Sequence, residues 1–357
     1  MLAALRARSG HRATHPALGL DIGSTAVKVI ELRRPGSPSA VARWASVPLA
    51  PGIVAEGSIR DAAAVAAAIR TAVATAGITA TDAAVGICGR ELIIKKLQIP
   101  GIPAKALKDA VRIEAEREIP FAIDEVFLDY QVTGRQPRVI DLTLVAAKKS
   151  KVLEYHAAVT AAGLTPAVID VDGFALGNQF ALATPATAER VALVDVGATL
   201  TKIAVVGGAL THLVRDAPLG GSRYTQAIAA RLGISLESAE AIKTEVAGNS
   251  DSLTVAQVCD GVSRELGREI QRALDYHAES DVTAPPVTRV ALLGGGAALT
   301  GLVESLTGTL GLPVAVARPF DGLIVEPPFE QANAGLGPAL ALALGLSLRR
   351  RGDAGSP

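Results

Sequence analysis

Leu20-Asp21-Ile22-Gly23-Ser24-Thr25-Ala26-Val27-Lys28-Val29-Ile30 returns much later in the chain as Val194-Asp195-Val196-Gly197-Ala198-Thr199-Leu200-Thr201-Lys202-Ile203-Ala204. Each copy reads as an apolar strand, an aspartate, a glycine turn and a second apolar strand. An aspartate at the end of a strand, just before such a turn, sets its carboxylate beside exposed backbone N–H groups. Gly23 and Gly197 carry no Cβ to hold a phosphate oxygen away from those groups. Ser24, Thr25 and Thr199 add hydroxyl donors, and Lys28 adds a cation. One copy alone describes a hairpin turn; two copies describe a duplicated phosphate-binding unit. Mg²⁺ keeps most of its waters, so Asp21 and Asp195 are the candidates to hold them. Lys202 repeats the position of Lys28, but a lysine on a half-exposed strand is its plainer reading.

Further glycine elements follow. Val290-Ala291-Leu292-Leu293 runs into Gly294-Gly295-Gly296 before an expected helix over 299–310. Such a strand–glycine–helix junction admits a sugar or base closely and turns a helix N-terminus toward phosphate. Gly220-Gly221 precedes a helix expected from Tyr224 and is a second junction of this kind. Glu240 and Lys243 fall three apart on one helix face, where they can bond a ribose or simply pair with each other in solvent.

Composition narrows the class. The 357 residues suffice for two or more packed domains. Although 49% of them are hydrophobic, the longest apolar run, Ala339–Leu348, is interrupted by glycine and falls short of the roughly 18 residues of a membrane span. Thirty-five basic and 35 acidic residues cancel, so no overall field favours nucleic acid. Cys88 and Cys259 form neither a metal spacing nor a disulfide framework, and the five histidines are scattered. The expected protein is cytoplasmic and poor in metal ligands. Arg6, Arg8 and Arg12 lie in a basic N-terminal tail with no signal-peptide core, for which contact with an anionic membrane is the alternative to plain disorder.

The order of elements divides the chain. After a tail over 1–16, residues 17–87 open an α/β lobe that resumes at 166–189 and 325–348. Residues 88–165 read as an inserted β-α-β-β-α module, with a hard break at Pro100-Gly101-Ile102-Pro103. A second lobe takes 190–219 and 286–324, with a helical subdomain over 220–285 and a tail over 349–357.

In this order the segments resemble the actin-like ATPase superfamily. The resemblance implies two lobes with duplicated βββαβα cores of ribonuclease H-like type and Mg-ATP held in the cleft. By that likeness the first phosphate loop is Asp21–Lys28, the second Asp195–Thr201, and the adenosine motif Leu293–Ala297. Asp172, at the start of the first connecting helix, then joins Asp21 and Asp195 as a polar group near the metal's waters or the attacking water. The inserted module narrows the likeness. Leu97-Gln98-Ile99-Pro100, the helix ending Glu114-Ala115-Glu116-Arg117-Glu118-Ile119-Pro120-Phe121, Phe127-Leu128-Asp129-Tyr130 and Val168–Asn178 are similar to the PilM family of type IV pilus assembly proteins. In that family and in its relative FtsA, a small α+β (SHS2-type) subdomain stands at this point. Lys202 departs from the pattern, where a smaller polar residue is expected.

The likeness implies a cytosolic scaffold that binds ATP, hydrolyses it slowly at most, and lies at the inner face of the inner membrane through a partner. That partner is the short cytoplasmic N-terminal peptide of a PilN-like single-span membrane protein, docked between the inserted module and the first lobe. An extended peptide can bind such a groove through backbone bonds and apolar pockets, and Ile94, Leu97 and Ile99 are the candidate contacts. Two other classes compete. An FtsA-like division protein needs a C-terminal amphipathic anchor, and the ending Arg349-Arg350-Arg351-Gly352-Asp353 offers no apolar face. A small-molecule kinase needs a positioned base and an acceptor pocket, and no second convergent polar set is legible.

Overall fold

A computed structural model describes residues 18–33, 40–184, 189–208, 210–244, 252–280, 284–325 and 329–349. The expected basic tail and the turn at Pro35–Pro38 lie outside these residues. Leu18–Ile22 (β1) and Ala26–Arg33 (β2) form the first hairpin, and Ala40–Pro48 (β3) extends it antiparallel. β1 is buried at every position, as a strand covered on both faces must be. A small hairpin, Val54–Ala55 (β4) and Ser58–Ile59 (β5), leads to the Ala-rich helix Ala62–Ala76 (α1). Asp61 caps this helix by accepting the Ala64 N–H (2.9 Å), and Gly77 ends it in the left-handed conformation (φ 62°). Asp82–Ile87 (β6) then pairs parallel to β1.

Leu92–Pro100 (β7), Ala104–Glu118 (α2), Val126–Arg135 (β8) and Val139–Lys148 (β9) build the inserted module, a sheet ordered β7-β9-β8 with α2 across one face. Leu97, Ile99, Leu107, Val111, Ile140, Leu142 and Leu144 fill its core. The helix expected to close the module packs elsewhere. In Lys149–Ala161 (α3), Val152, Tyr155 and Val159 share one stripe and join the core of Leu18, Leu20 and Val85, against α1. Its polar residues pin the β4–β5 hairpin: Tyr155 (2.9 Å) and Lys151 both donate to the Gly57 carbonyl, and Glu154 accepts the Ile59 N–H (2.5 Å). Thr165–Val171 (β10) pairs parallel to β6, and Asp172–Ala183 (α4) follows.

The second phrase repeats the plan with Arg190–Val196 (β11), Thr201–Gly207 (β12) and Leu210–Ala217 (β13). β13 was not legible as a strand because His212, Arg215 and Asp216 break its apolar pattern; it is the half-exposed edge of the sheet. Helices Gly221–Leu232 (α5), Leu236–Thr244 (α6) and Ser252–Ser280 (α7) come next. Val287–Leu293 (β14) ends at the triple glycine. There a 3₁₀ turn, Gly295–Ala298, comes first, and the α-helix expected from 299 begins only at Leu302–Leu310 (α8), after Gly301 in the left-handed region (φ 78°). Val314–Val316 (β15), Ile324–Val325 (β16) and the helix Phe329–Ser347 (α9) complete the chain.

The described residues divide into two compact units, one of 18–178, 323–325 and 342–349, the other of 179–322 and 329–341. Among those residues the first unit holds a sheet ordered β10-β6-β1-β2-β3-β16 and the second a sheet ordered β13-β12-β11-β14-β15. Both are an antiparallel three-strand meander continued by parallel strands, which is the duplication expected from the sequence. In the first unit, α1 and α3 cover one face. On the other, the end of α9 crosses the start of α4 so closely that a side chain at Gly345 would collide with the Ala175 carbonyl, and one at Gly19 of β1 with the Ala343 carbonyl. Arg349, expected in a tail, is instead buried, its Nε 3.0 Å from the Asp170 carboxylate at the end of β10. Gly345→Ala is therefore expected to cost about 2 kcal/mol or more in urea unfolding. Gly335→Ala in the same helix, where a Cβ meets open space, should be neutral or stabilise by up to about 1 kcal/mol.

Candidate functional site: two aspartate–lysine turns

The two phrases fold into the same turn. Gly23 N–H closes the first by donating to the Ala26 carbonyl, and Gly197 N–H closes the second on Leu200, each at 3.0 Å. With only two residues at each tip, the strand register sets Asp21 directly opposite Lys28 and Asp195 directly opposite Lys202. Each lysine reaches its aspartate: Lys28 Nζ to Asp21 Oδ2 at 2.8 Å, Lys202 Nζ to Asp195 Oδ2 at 3.0 Å. Both aspartates are buried, so each carboxylate has its countercharge within the turn. Two expectations change here. The Gly23 and Gly197 N–H groups are spent on closing the turns, which leaves the tips, Ser24-Thr25 and Ala198-Thr199, as the rims toward any ligand; Thr25 is exposed. Lys202 is no ordinary strand lysine but the counterpart of Lys28.

Around the second turn, within its unit, the structure gathers most of the other residues picked out from the sequence. Gly221 and Ser222 N–H, at the start of α5, donate to the Gly197 (2.9 Å) and Ala198 (2.8 Å) carbonyls. The Gly220-Gly221 junction thus holds the turn rather than offering its first N–H groups to a phosphate; a Cβ at Gly220 would stand 2.5 Å from the Gly197 oxygen. Gly294, at φ 80°, brings the end of β14 against Asp195, and a side chain there would collide with the Asp195 carboxylate. Gly296 lies against Val196 in the same way, while Gly295 faces open space.

Glu240 and Lys243 prove to be more than a solvated pair. Lys243 Nζ donates to Glu240 (2.6 Å), to Thr225 Oγ1 (3.0 Å) and to the Gly221 carbonyl (3.2 Å), and Thr225 also donates to Glu240. Thr225, one turn into α5, was missed because a lone threonine in a helix carries no sequence signal. Burial disfavours the Glu240 carboxylate, but the hydrogen bonds from Lys243 and Thr225 outweigh it and hold its pKa below the usual 4.5.

In the other unit, Asp172 is the buried first residue of α4, its carboxylate lying where a Cβ at Gly86 of β6 would stand. Leu97 and Ile99 do not face outward: both side chains are buried in the module's core beneath α2. Ile94 lies on the other face of β7, opposite Val145 of β9, and is half-buried. The reason is parity. Residues 97 and 99 share the α2 side of the strand and residue 94 does not.

Among the described residues no three His, Cys, Asp or Glu side chains converge as a metal cluster, and no helix is long and apolar enough to cross a membrane. A metal at these turns has to be held by one carboxylate at a time and by waters, and that donor chemistry fits Mg²⁺.

A family model described as type IV pilus assembly protein PilM matches residues 19–351. The chain belongs to that family. A solved structure of a PilM-PilN type IV pilus biogenesis complex is similar at 32% identity over 94% of this chain and 98% of that one, with a TM-score of 0.82. The ethanolamine utilization protein EutJ from Carboxydothermus hydrogenoformans matches at 17% identity, over 96% of this chain and 92% of that one, with a TM-score of 0.56. MreB 5 of Spiroplasma citri bound to AMPPNP matches at 10% identity, over 94% and 95%, with a TM-score of 0.54. At such identities the last two show the fold alone, which is the actin-like two-lobed α/β fold.

Two measurements check this geometry. A double-mutant cycle of Asp195→Asn and Lys202→Met in urea unfolding should give a coupling of about 1–2 kcal/mol, and additive effects would mean that the pair is not formed. Glu240 binds its proton more weakly folded than unfolded, so its contribution is present above pH 4.5 and fades as pH falls through the lowered value. The stability difference between the wild type and Glu240→Gln should shrink in that acid range, and a difference constant with pH would contradict the assignment.

Proposed function

We propose that this chain is an ATP-binding scaffold of the type IV pilus inner-membrane platform, docking the cytoplasmic N-terminal peptide of a PilN-like single-span membrane protein. The observation that carries this is the match, nearly end to end at 32% identity, to a PilM solved with PilN. The scaffold then works at the cytoplasmic face of the inner membrane through its partner, and reuse of the same parts in a related secretion or DNA-uptake machine is the alternative setting.

Nucleotide binding rests on the two aspartate–lysine turns. That a protein of the same fold, MreB 5, is bound to AMPPNP supports it. Mg-ATP, when bound, supplies a metal-shielded polyphosphate. Toward it Asp21 and Asp195 hold the metal's waters, and Lys28 and the hydroxyls of Ser24, Thr25 and Thr199 donate to phosphate oxygens. Glu240 and Lys243 are the proposed ribose contacts, Gly294–Gly296 the adenosine side, and Asp172 the polar group near the attacking water. Turnover is slow at most, because positioning a nucleotide and positioning a water against it are separate demands. Asp21→Ala and Asp195→Ala should each abolish binding of a fluorescent ATP analogue in folded protein; unchanged affinity in both would remove the nucleotide reading.

Docking is proposed on the module's sheet. β7 ends the order β7-β9-β8, so one of its edges can take an added strand, and Ile94 offers an apolar contact on the face away from α2. Fluorescence anisotropy of a labelled peptide, copied from the cytoplasmic N-terminus of a PilN-like protein encoded beside this one, should saturate and weaken at least tenfold with Ile94→Asp. A peptide that binds neither with nor without Mg-ATP would overturn the docking reading. Leu97→Asp would be a poor test, since it would disrupt the module's own core.

A further inference from the structure

The two turns match on one side of their lysines and differ on the other. In the first sheet the row across the strands reads Asp21, Lys28, Ser46; in the second it reads Asp195, Lys202, Asp216. Directly opposed residues in antiparallel strands share a face, with Cβ atoms about 5 Å apart. Lys202 therefore stands between two carboxylates on one face of the β11-β12-β13 sheet, whereas Lys28 has a carboxylate on one side only. Asp195 is buried at the end of β11; Asp216 is half-exposed on the edge strand β13.

We infer that Asp216 is a positioning residue that lets Lys202 release Asp195. This rests on the nucleotide reading proposed above. The Lys202 ammonium is held on Asp195, 3.0 Å away, where it occupies the carboxylate that a hydrated Mg²⁺ needs. Two cations cannot share that buried oxygen cheaply, so Mg²⁺ has to displace the ammonium. A lysine with no second partner would be driven off beside a dication at full electrostatic cost. Lys202 has one in Asp216, within reach of a swing of its flexible stem, so the charge it leaves and the charge it meets are equal. The second turn is thus a carboxylate–ammonium–carboxylate relay in which metal uptake moves a lysine from the inner acid to the outer one. Lys202 then assists the metal by leaving, whereas Lys28, held on Asp21, faces Ser46 rather than an acid on the neighbouring strand.

The test is the Mg²⁺ concentration that half-saturates tight binding of a fluorescent ATP analogue, read by anisotropy on the full chain, with melting temperature as the folding control. Asp216→Asn should raise that concentration about three- to fivefold, the size of a partly exposed ion pair, while Asp216→Glu restores it. Lys202→Ser, which removes the competing ammonium, should lower it. Asp216→Ser gives the same reading should the asparagine variant not fold. Nucleotide binding with the wild-type Mg²⁺ requirement in Asp216→Asn would overturn the relay and leave the nucleotide reading standing. Loss of nucleotide affinity in Lys202→Ser, at saturating Mg²⁺, would instead make Lys202 a phosphate ligand and overturn the relay as well. A wild-type chain that binds no nucleotide at any Mg²⁺ concentration would remove both.

Discussion

The pairing of an aspartate at a strand end with the lysine opposite it is the constraint on which both lobes depend. β1 and β11 are apolar and buried, and such strands do not tolerate a carboxylate unless its charge is met. The lysine that meets it comes from the returning strand, and it arrives opposite only if the turn between them has two residues at its tip. A slip of one residue would put the lysine on the other face and leave a bare buried charge. The register of each hairpin, and through it the position of β6, β14 and the glycine turn, is therefore tied to one ion pair per lobe.

That dependence explains why so much of the fold was legible. A phrase in which an Asp, a Gly and a Lys hold the same spacing twice carries the hairpin, the pleat and the duplication together. Its strands appear where the repeat places them. The parts not legible lack such a constraint. β13 is an edge strand whose polar residues look like loop, and α3 follows β9 without a break, so nothing in its sequence says which sheet it covers. Its stripe of Val152, Tyr155 and Val159 would suit either, and tertiary packing decides for the first lobe. Arg349 resembles the arginines that follow it; its burial depends on Asp170, a residue far away in sequence.

The candidate site shows the same division. Which residues meet at the turns was readable, because the repeated phrase places them there twice. Their uses were not. Gly23, Gly197, Gly220 and Gly221 read as openings that let phosphate approach the backbone, yet their N–H groups or close contacts build the turns that carry the rims. Leu97 and Ile99 read as a docking surface because apolar residues on an expected edge strand suggest one; strand parity turns both into core and leaves Ile94 outside. Several of the residues that the sequence nominates thus have a structural part, holding the turns and the module's core in place.

What separates the two copies matters as much as what they share. Duplication supplies two equivalent carboxylates, each paired with the lysine opposite it. The first lobe surrounds its lysine with one acid and a serine; the second surrounds its lysine with two acids. A cation between two carboxylates can trade one for the other at little cost, and a cation with only one cannot. The asymmetry is written on strands β3 and β13, one layer outside the repeated phrase. Divergence there can retune how each turn handles charge without disturbing the register that the fold requires.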